Sequence, residues 1–593
     1  MIDLFRSELL RFRHWALAYA LLHLGMLGFF ARVVDPLQQP DVVYLVVAAV
    51  YALSGLLLAL YQMGTYRRPN TWLNLLHRPL PHWQVAVALL VAAASLLLLA
   101  IVAPLLLMLA GQATWTARVV DSRHWLLPLA AFLVTSCSYL AGVFAMLAPR
   151  RYAAAGLFGL LLLTASHAVG ASALLVQLAL VLWLLALVAT AFQPDLTRPP
   201  VRWPGLMAVA LTVQMAVYVL LASAGLGYQL LWMLQGSHPL NSTPPAGGYI
   251  EASRADGADL MAAGLVSSRV AEAPVWREQV RLAEVFTWQR QFDALPIRNE
   301  LGNIAPMEFD DDARRLRWIF SHDTMRFTGM SLGDSQPAGR MGIGPAQAPF
   351  PKPPLPIGGK FLASADTVYG YDTQHRMVLP RIILPAGETL ALAPSAMGEV
   401  VLVMSNRALY GYDARAFTDG DSVLAPRLRI ALPAPIGDID RVDMIELIDG
   451  YLVSFVTGLG STDGPGSPLQ AMVHVSGEGK ATRVGQRALQ PDFPLALRHY
   501  PWWVSPVMHD LRKLAINALA APMPLKAQAP QPIPTSMKWL AAALLMASLL
   551  ASAYWSRRQG LPRARRVAWA LACAGIGVPA LLAQGLIHPD SEG

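Results

Sequence analysis

Along the first 235 residues, long apolar runs alternate with short polar breaks. Trp15 to Val33, Val43 to Gln62, Val85 to Ala110, Leu126 to Leu147 and Leu206 to Leu230 are nearly free of charge. A helix of about 20 such residues crosses the roughly 30 Å hydrocarbon core of a bilayer. Residues 153–192 are apolar throughout, broken near Ser166-His167-Ala168-Val169-Gly170, and predict two further spans. Beyond Gly236 the pattern shifts to short alternating segments rich in Pro and Gly. Long apolar runs return only at Met537–Trp555 and Val567–Ile587. The pattern predicts a polytopic α-helical membrane protein of about nine spans with a mainly β insert. Its regions are an N-terminal transmembrane domain (1–235), a polar domain (236–535) and a C-terminal two-span hairpin (536–593).

The N-terminal residues Ile2, Phe5, Leu9 and Phe12 fall at helical spacing, with Arg6, Arg11 and Arg13 on other faces. That spacing predicts an amphipathic helix at the cytoplasmic interface. Alternating charges and the lack of a small-residue cleavage site argue against a removable signal. Orientation follows from the excess of Lys and Arg in cytoplasmic loops. With the N-terminus inside, the inner loops hold Arg67, Arg68 and Arg78, Arg150 and Arg151, Arg198 and Arg202, and the five arginines from Arg557 to Arg566. The outer loops carry Asp35, Asp41 and Asp121. The 236–535 domain and the C-terminal Pro589-Asp590-Ser591-Glu592-Gly593 then lie outside.

Within the insert, Trp276 to Leu295 places Leu282, Val285, Phe286 and Phe292 on one helical face, and Pro296 ends it. From Met307 the pattern is strand and turn. Asp366-Thr367-Val368-Tyr369-Gly370-Tyr371-Asp372 is echoed by Asn406-Arg407-Ala408-Leu409-Tyr410-Gly411-Tyr412-Asp413, with a fainter copy at Asp323 to Phe327. Periods of about 40–45 residues mark β-propeller blades, and four or five would fit in 307–500. Blades stack because none buries both faces alone. The repeat turns are assigned to Tyr369, Asp372, Tyr410 and Asp413, and a β-sandwich or a stack of hairpins is the alternative. After the repeats, Tyr500, Trp502 and Trp503 suit a headgroup belt. Val507, Leu511, Leu514 and Ala518 share one helical face. A Pro-rich connector (Pro522, Pro524, Pro530, Pro532, Pro534) then predicts an extended, stiff linker.

Composition agrees with the pattern: 14% of the 593 residues are charged, against about a quarter in soluble proteins. The net charge of +8 resides largely in short inner loops and is no nucleic-acid signal. The two cysteines, Cys137 and Cys573, sit in apolar runs and build no disulfide framework or thiolate site. No phosphate loop occurs; Gly477-Glu478-Gly479-Lys480 is followed by Ala481 and lacks the earlier glycine. No zinc-protease His pair and no Gly-x-Ser-x-Gly elbow is found. Asp310-Asp311-Asp312 reads as a solvated turn, and His499, Met508 and His509 lack a metal-ligand spacing. His23 and His167 read as helix–helix hydrogen-bond donors rather than a proton relay. The chain is expected to be no enzyme and to hold no cofactor or metal.

One polar stretch remains: Tyr66-Arg67-Arg68-Pro69-Asn70-Thr71-Trp72-Leu73-Asn74-Leu75-Leu76-His77-Arg78-Pro79-Leu80-Pro81-His82-Trp83. It follows two spans and holds a short helix between an Arg pair and a Pro-Leu-Pro segment. In this arrangement residues 1–230 resemble the membrane subunits (permeases) of ABC-2-type transporters, with Arg67-Arg68 where that family usually has Glu-Arg. The resemblance implies a coupling helix in which Arg67, Arg68, Trp72, Leu75, Leu76, Arg78, Pro79 and Leu80 meet a separate cytosolic ATPase, which would carry ATP and Mg. It further implies an exporter in a bacterial inner membrane, working as a homodimer or heterodimer of permeases in membrane lipid. The periplasmic β domain would bind cargo or a periplasmic partner. The alternative expectation is a membrane-anchored periplasmic scaffold or sensor.

Overall fold

The computed structural model describes residues 1–77, 79–289, 291–292, 294–458, 467–520 and 523–589; Arg78, Pro522 and Asp590-Ser591-Glu592-Gly593 lie outside the described residues. Among the described residues, seven helices are long and apolar enough to cross a membrane. They are α1 (Ile2–Val33), α2 (Asp41–Tyr66), α4 (His82–Trp115), α5 (Ser122–Leu147), α6 (Gly170–Ala191), α7 (Trp203–Leu234) and α8 (Thr535–Arg558). A short surface helix, α3 (Pro69–Leu76), joins α2 to α4.

The expected amphipathic helix and the first span are one continuous helix. No Gly or Pro separates Arg13 from Trp15, so nothing interrupts the hydrogen-bond ladder. Leu4, Glu8, Phe12 and Ala16 form its buried stripe. In α4 the ladder widens to a π turn at Leu98–Val102. Pro104 has no N–H to give the Ala100 carbonyl. His23 of α1 takes that place, its Nδ1 donating to Ala100 O at 3.1 Å while Nε2 accepts from the Tyr51 hydroxyl at 2.9 Å. His23 thus ties three helices together.

The helices have two distinct ends. At one end the 34–41 loop bridges to the β region through Pro40 and Asn303, Ser122 bonds Asp323, Gly170 abuts the Asn299 carbonyl, and Trp232 packs on Phe493. At the other end Trp72 meets Phe192, and Arg565 donates to the Val201 carbonyl. Helix α6 therefore runs from the β-region end at Gly170 to the α3 end at Phe192. The preceding segment 155–165 is a broken run of α and 3-10 turns that leads back to the β-region end.

The run expected as the last span is not one continuous helix. Residues 563–587 form two helices, α9 (Arg563–Ile576) and α10 (Val578–Ile587), folded back on each other at Gly577, whose φ is +80°. The Gln559 amide donates to the His588 carbonyl, and the His588 ring is 6.0 Å from that of Trp569. A straight helix over 563–587 would hold Gln559 and His588 roughly 37 Å apart. Residues up to 589 consequently end on the α3 side rather than the β-region side.

Among the described residues the strands of the β region pair antiparallel, in four sheets. Strand β1 (Phe286–Gln289) joins the last sheet. The first sheet is β2 (Glu308–Asp311), β3 (Leu316–Ser321), β4 (Arg326–Ser331) and β5 (Pro337–Met341); the second is β6 (Leu355–Gly358), β7 (Phe361–Ala363), β8 (Thr367–Asp372) and β9 (Met377–Ile383). The third is β10 (Leu390–Met397), β11 (Val400–Ser405), β12 (Ala408–Asp413) and β13 (Leu428–Ala431). The fourth orders β1, β14 (Ile439–Leu447), β15 (Gly450–Thr457), β16 (Leu469–Ser476) and β17 (Ala481–Ala488). The third strands β4, β8 and β12 begin at 326, 367 and 408, each with Gly in its fourth place (Gly329, Gly370, Gly411). A Cβ at Gly411 would come within 2.7 Å of Leu428 and 2.9 Å of Val400, which explains the repeated glycine.

The expected propeller is not seen as a closed ring. Apolar clusters join the first sheet to the second, the second to the third and the third to the fourth. Among the described residues none joins the fourth to the first. The fourth sheet instead spends its other face on the helices Gly257–Leu265 and Ala273–Leu282, through Leu265, Trp276 and Val280. The first sheet meets the membrane-helix loops. The single helix expected over Trp276–Leu295 also divides. It stops at Leu282, and Phe286-Thr287-Trp288-Gln289 alternates with period two and pairs with β14. The Pro-rich linker is not extended throughout: Pro524–Lys526 is a 3-10 turn, and the segment is docked, with Gly437 N–H donating to Ala527 O at 2.7 Å and Leu525 buried in the core. Tyr500 packs across Gly225 of α7, and the helix Pro506–Leu519 exposes Val507, Leu511 and Leu514.

Candidate functional site

Helix α3 begins at Pro69, whose missing N–H costs nothing in the first turn, and is followed by Pro79 and Pro81, which prevent its continuation. Its apolar stripe points inward. Trp72 is 2% exposed, lies 5.1 Å from the Phe192 ring, and donates from Nε1 to the Gln193 carbonyl at 3.1 Å. Leu75 and Leu76 enter the same core as Leu4, Val85 and Leu187. The three apolar residues expected to face a partner are therefore turned into the protein. An apolar stripe goes to the nearest apolar surface, and the sequence does not say whose surface that is. The outward positions are Thr71, Leu73 (45% exposed), Asn74 and His77. Arg68 and Pro79 are exposed, Arg67 and Leu80 half-buried.

Directly beneath α3 lies a polar cluster that the sequence reading missed. Glu8 of α1 is 2% exposed. Its carboxylate accepts from Gln62 Nε2 at 2.9 Å and from the Tyr66 hydroxyl at 2.5 Å, and Arg11 stands 3.6 Å away. Gln62 Oε1 accepts from the Tyr139 hydroxyl at 2.7 Å. One network thus binds α1, α2 and α5 at the root of the segment carrying α3. A buried carboxylate is tolerated only when its lone pairs are so occupied. The signal was legible: Glu8 falls on the stripe of Leu4, Phe12 and Ala16, not on the polar face.

At the opposite end, the membrane helices grip the first sheet. Asp121 accepts from Ser321 Oγ at 2.7 Å and from the His322 N–H at 2.8 Å. Asp323 returns the contact, accepting from Ser122 N–H and Oγ at 2.7 and 2.6 Å. The buried Arg123 donates to the Glu300 carbonyl and to Asn303 Oδ1, both at 2.8 Å. Asn303 O accepts from Asp41 N–H at 2.6 Å. Burial, with Arg123 and Arg298 nearby, pushes His322 down to about 3, so it is neutral and accepts from the Asn299 N–H through Nδ1. Burial lifts Glu300 to about 7 and raises Asp35 as well. The junction fixes the β region to two loops of the helical bundle, so the two are built to move together.

The repeat residues do not converge on either place. Tyr369 and Tyr410 are buried between sheets, Tyr410 donating to Glu388 at 2.9 Å. Asp372 holds its turn by accepting from Gln374 N–H at 2.7 Å, and Asp413 caps the helix Ala414–Asp419 through Ala416 N–H at 2.7 Å. Among the described residues no group of three or more His, Cys, Asp or Glu is arranged to hold a metal ion. Comparison of the chain with protein families, with curated proteins and with solved structures returns no match.

Proposed function

We propose that this chain is the membrane subunit of an ABC-type transporter, an exporter of a bacterial inner membrane that works with a separate cytosolic ATPase. The observation that carries the reading is α3. It is a short amphipathic helix on the arginine-rich end of the bundle, wedged by Trp72 against the loop after α6 and rooted through Tyr66 in the Glu8 network. A push on such a helix is delivered to α1, α2, α4 and α6 at once. Arg67, Arg68, Arg150, Arg151, Arg198, Arg202 and the Arg557–Arg566 loop share its end, which supports a cytosolic placement. The β region then stands in the periplasm and receives cargo or a partner, and two such chains would engage two motors.

The contact surface in this reading is the outward face of α3, Leu73, Asn74 and His77, with Arg68 beside it. The test is co-purification of an ATPase with the full chain. Leu73→Asp with His77→Asp should abolish capture without loss of thermal stability, because both side chains are exposed. Retained capture, or no nucleotide-hydrolysing partner at all, removes the motor from the account. A second reading, a membrane-anchored scaffold, draws on the firm docking of the first sheet through Asp121 and Arg123.

A further inference from the structure

Between the third and fourth sheets lies an open groove of about 510 Å³. Its floor is Phe286, Met397 and Leu447, and its rim is Leu282, Ile448 and the two carboxylates Glu284 and Glu446. Among the described residues no Lys or Arg lines it.

Two features set it apart from ordinary surface. The first is the outward display of apolar side chains on held backbone. Ile448 and Asp449 form the two-residue turn between β14 and β15. Ile448 is 93% exposed, and its N–H donates to Gln279 Oε1 at 2.9 Å. The next residue, Asp449, accepts from Trp276 Nε1 at 3.1 Å, and Trp276 stacks on His474 at 4.4 Å. The helix Ala273–Leu282 thus clamps the turn with its isoleucine pointing out. Leu282, in the last turn of that helix, is 86% exposed across the same groove. Apolar groups held into water over an apolar floor form a surface prepared for burial.

The second feature is charge. Neither Glu284 nor Glu446 is in an ion pair among the described residues. An apolar occupant without charge would cover both carboxylates and leave them unpaired, which burial penalises. An occupant with apolar residues on one face and Lys or Arg at its edges would satisfy floor and rim together.

We propose that this groove docks a basic amphipathic segment of a partner protein on the β-region side of the membrane. The inference stands apart from the transporter reading, since it needs neither an ATPase nor a cargo.

The test uses the full chain in nanodiscs of phosphatidylcholine, with empty discs as the lipid blank. The probe is a fluorescein-labelled 14-residue peptide of Leu and Lys at helical spacing, beside twins with Glu or Gln in place of Lys. The Leu/Lys peptide is expected to give saturable anisotropy above the blank. Affinity should fall by about ten-fold in the Glu284→Lys/Glu446→Lys double variant and in Ile448→Asp. Asp312→Lys, in the exposed turn between β2 and β3, should leave it unchanged. Equal binding of the Glu or Gln twin, unaltered affinity in the double variant, or no binding above the blank overturns the proposal. The substituted side chains are exposed, so thermal unfolding of each variant should match that of the parent chain.

Discussion

Arg123 is the residue whose removal should separate the two halves of the molecule. Its guanidinium is almost wholly buried and makes two 2.8 Å bonds across the junction, to Glu300 O and Asn303 Oδ1. Its Nε stands 3.7 Å from Asp121 Oδ2. Arg123→Ala leaves two buried acceptors without donors, each costing about 1–3 kcal/mol, and strips Asp121 of its cation. Breaking a buried pair from one side costs about 3–5 kcal/mol. Asp121 retains its bonds from Ser321 and His322, which offsets part of this. A net loss of about 3–4 kcal/mol of docking follows. At about 1.4 kcal/mol per factor of ten, protected amides at the junction should exchange with solvent roughly 10²–10³-fold faster. Hydrogen exchange read by mass spectrometry reports this on peptides holding Asp41, Ser122 and His322, whose N–H groups bond across the junction. Arg123→Lys keeps the charge but not the fork, and should fall between the two. Unchanged exchange at these three places refutes the latch. Equal acceleration throughout the four sheets would show instead that Arg123 supports the fold of the β region.

The same junction should respond to pH. Glu300 is held near 7 by burial, above its ordinary 4.5, with Arg123 and Asp41 the charges facing it. A raised carboxyl contributes its full docking stability below 4.5 and loses it as pH rises through 7. Neutral His322 pulls the other way, its share being lost as pH falls below 6.5, so Glu300 is read by difference: Glu300→Gln should slow corrected exchange at the junction more at pH 8 than at pH 5.5. Replacing His23 by Phe strands the Ala100 carbonyl and should cost about 1–3 kcal/mol in detergent unfolding; a neutral result would mean that the π turn finds another donor. Gly411→Ala should cost about 1–3 kcal/mol by overpacking against Leu428 and Val400, measured on the same unfolding curve. A tag placed after the last residue should be labelled from the side that labels a cysteine at Gln559; labelling from the opposite face would contradict the folded-back α9 and α10.

The sequence by itself determined the membrane-length helices, because length and apolarity are local properties that need no partner. It also determined the β repeat, since period-two alternation and the recurring Tyr-Gly-Tyr-Asp are local too. The face that a stripe would choose was beyond it. Trp72, Leu75 and Leu76 were legible as an apolar set, yet only the nearness of Phe192 and Gln193, about 120 residues on, turned them inward. Glu8 illustrates the same limit: its spacing was in the sequence, but its donors Gln62 and Tyr66 are brought by α2. The last apolar run looked long enough to cross, and Gly577 at a positive φ folded it back, a backbone choice that composition does not express. Whether four sheets close into a ring was likewise a tertiary decision. The flanks that closure would join are occupied, one by the helices Gly257–Leu265 and Ala273–Leu282 and the other by the loop of Asp121.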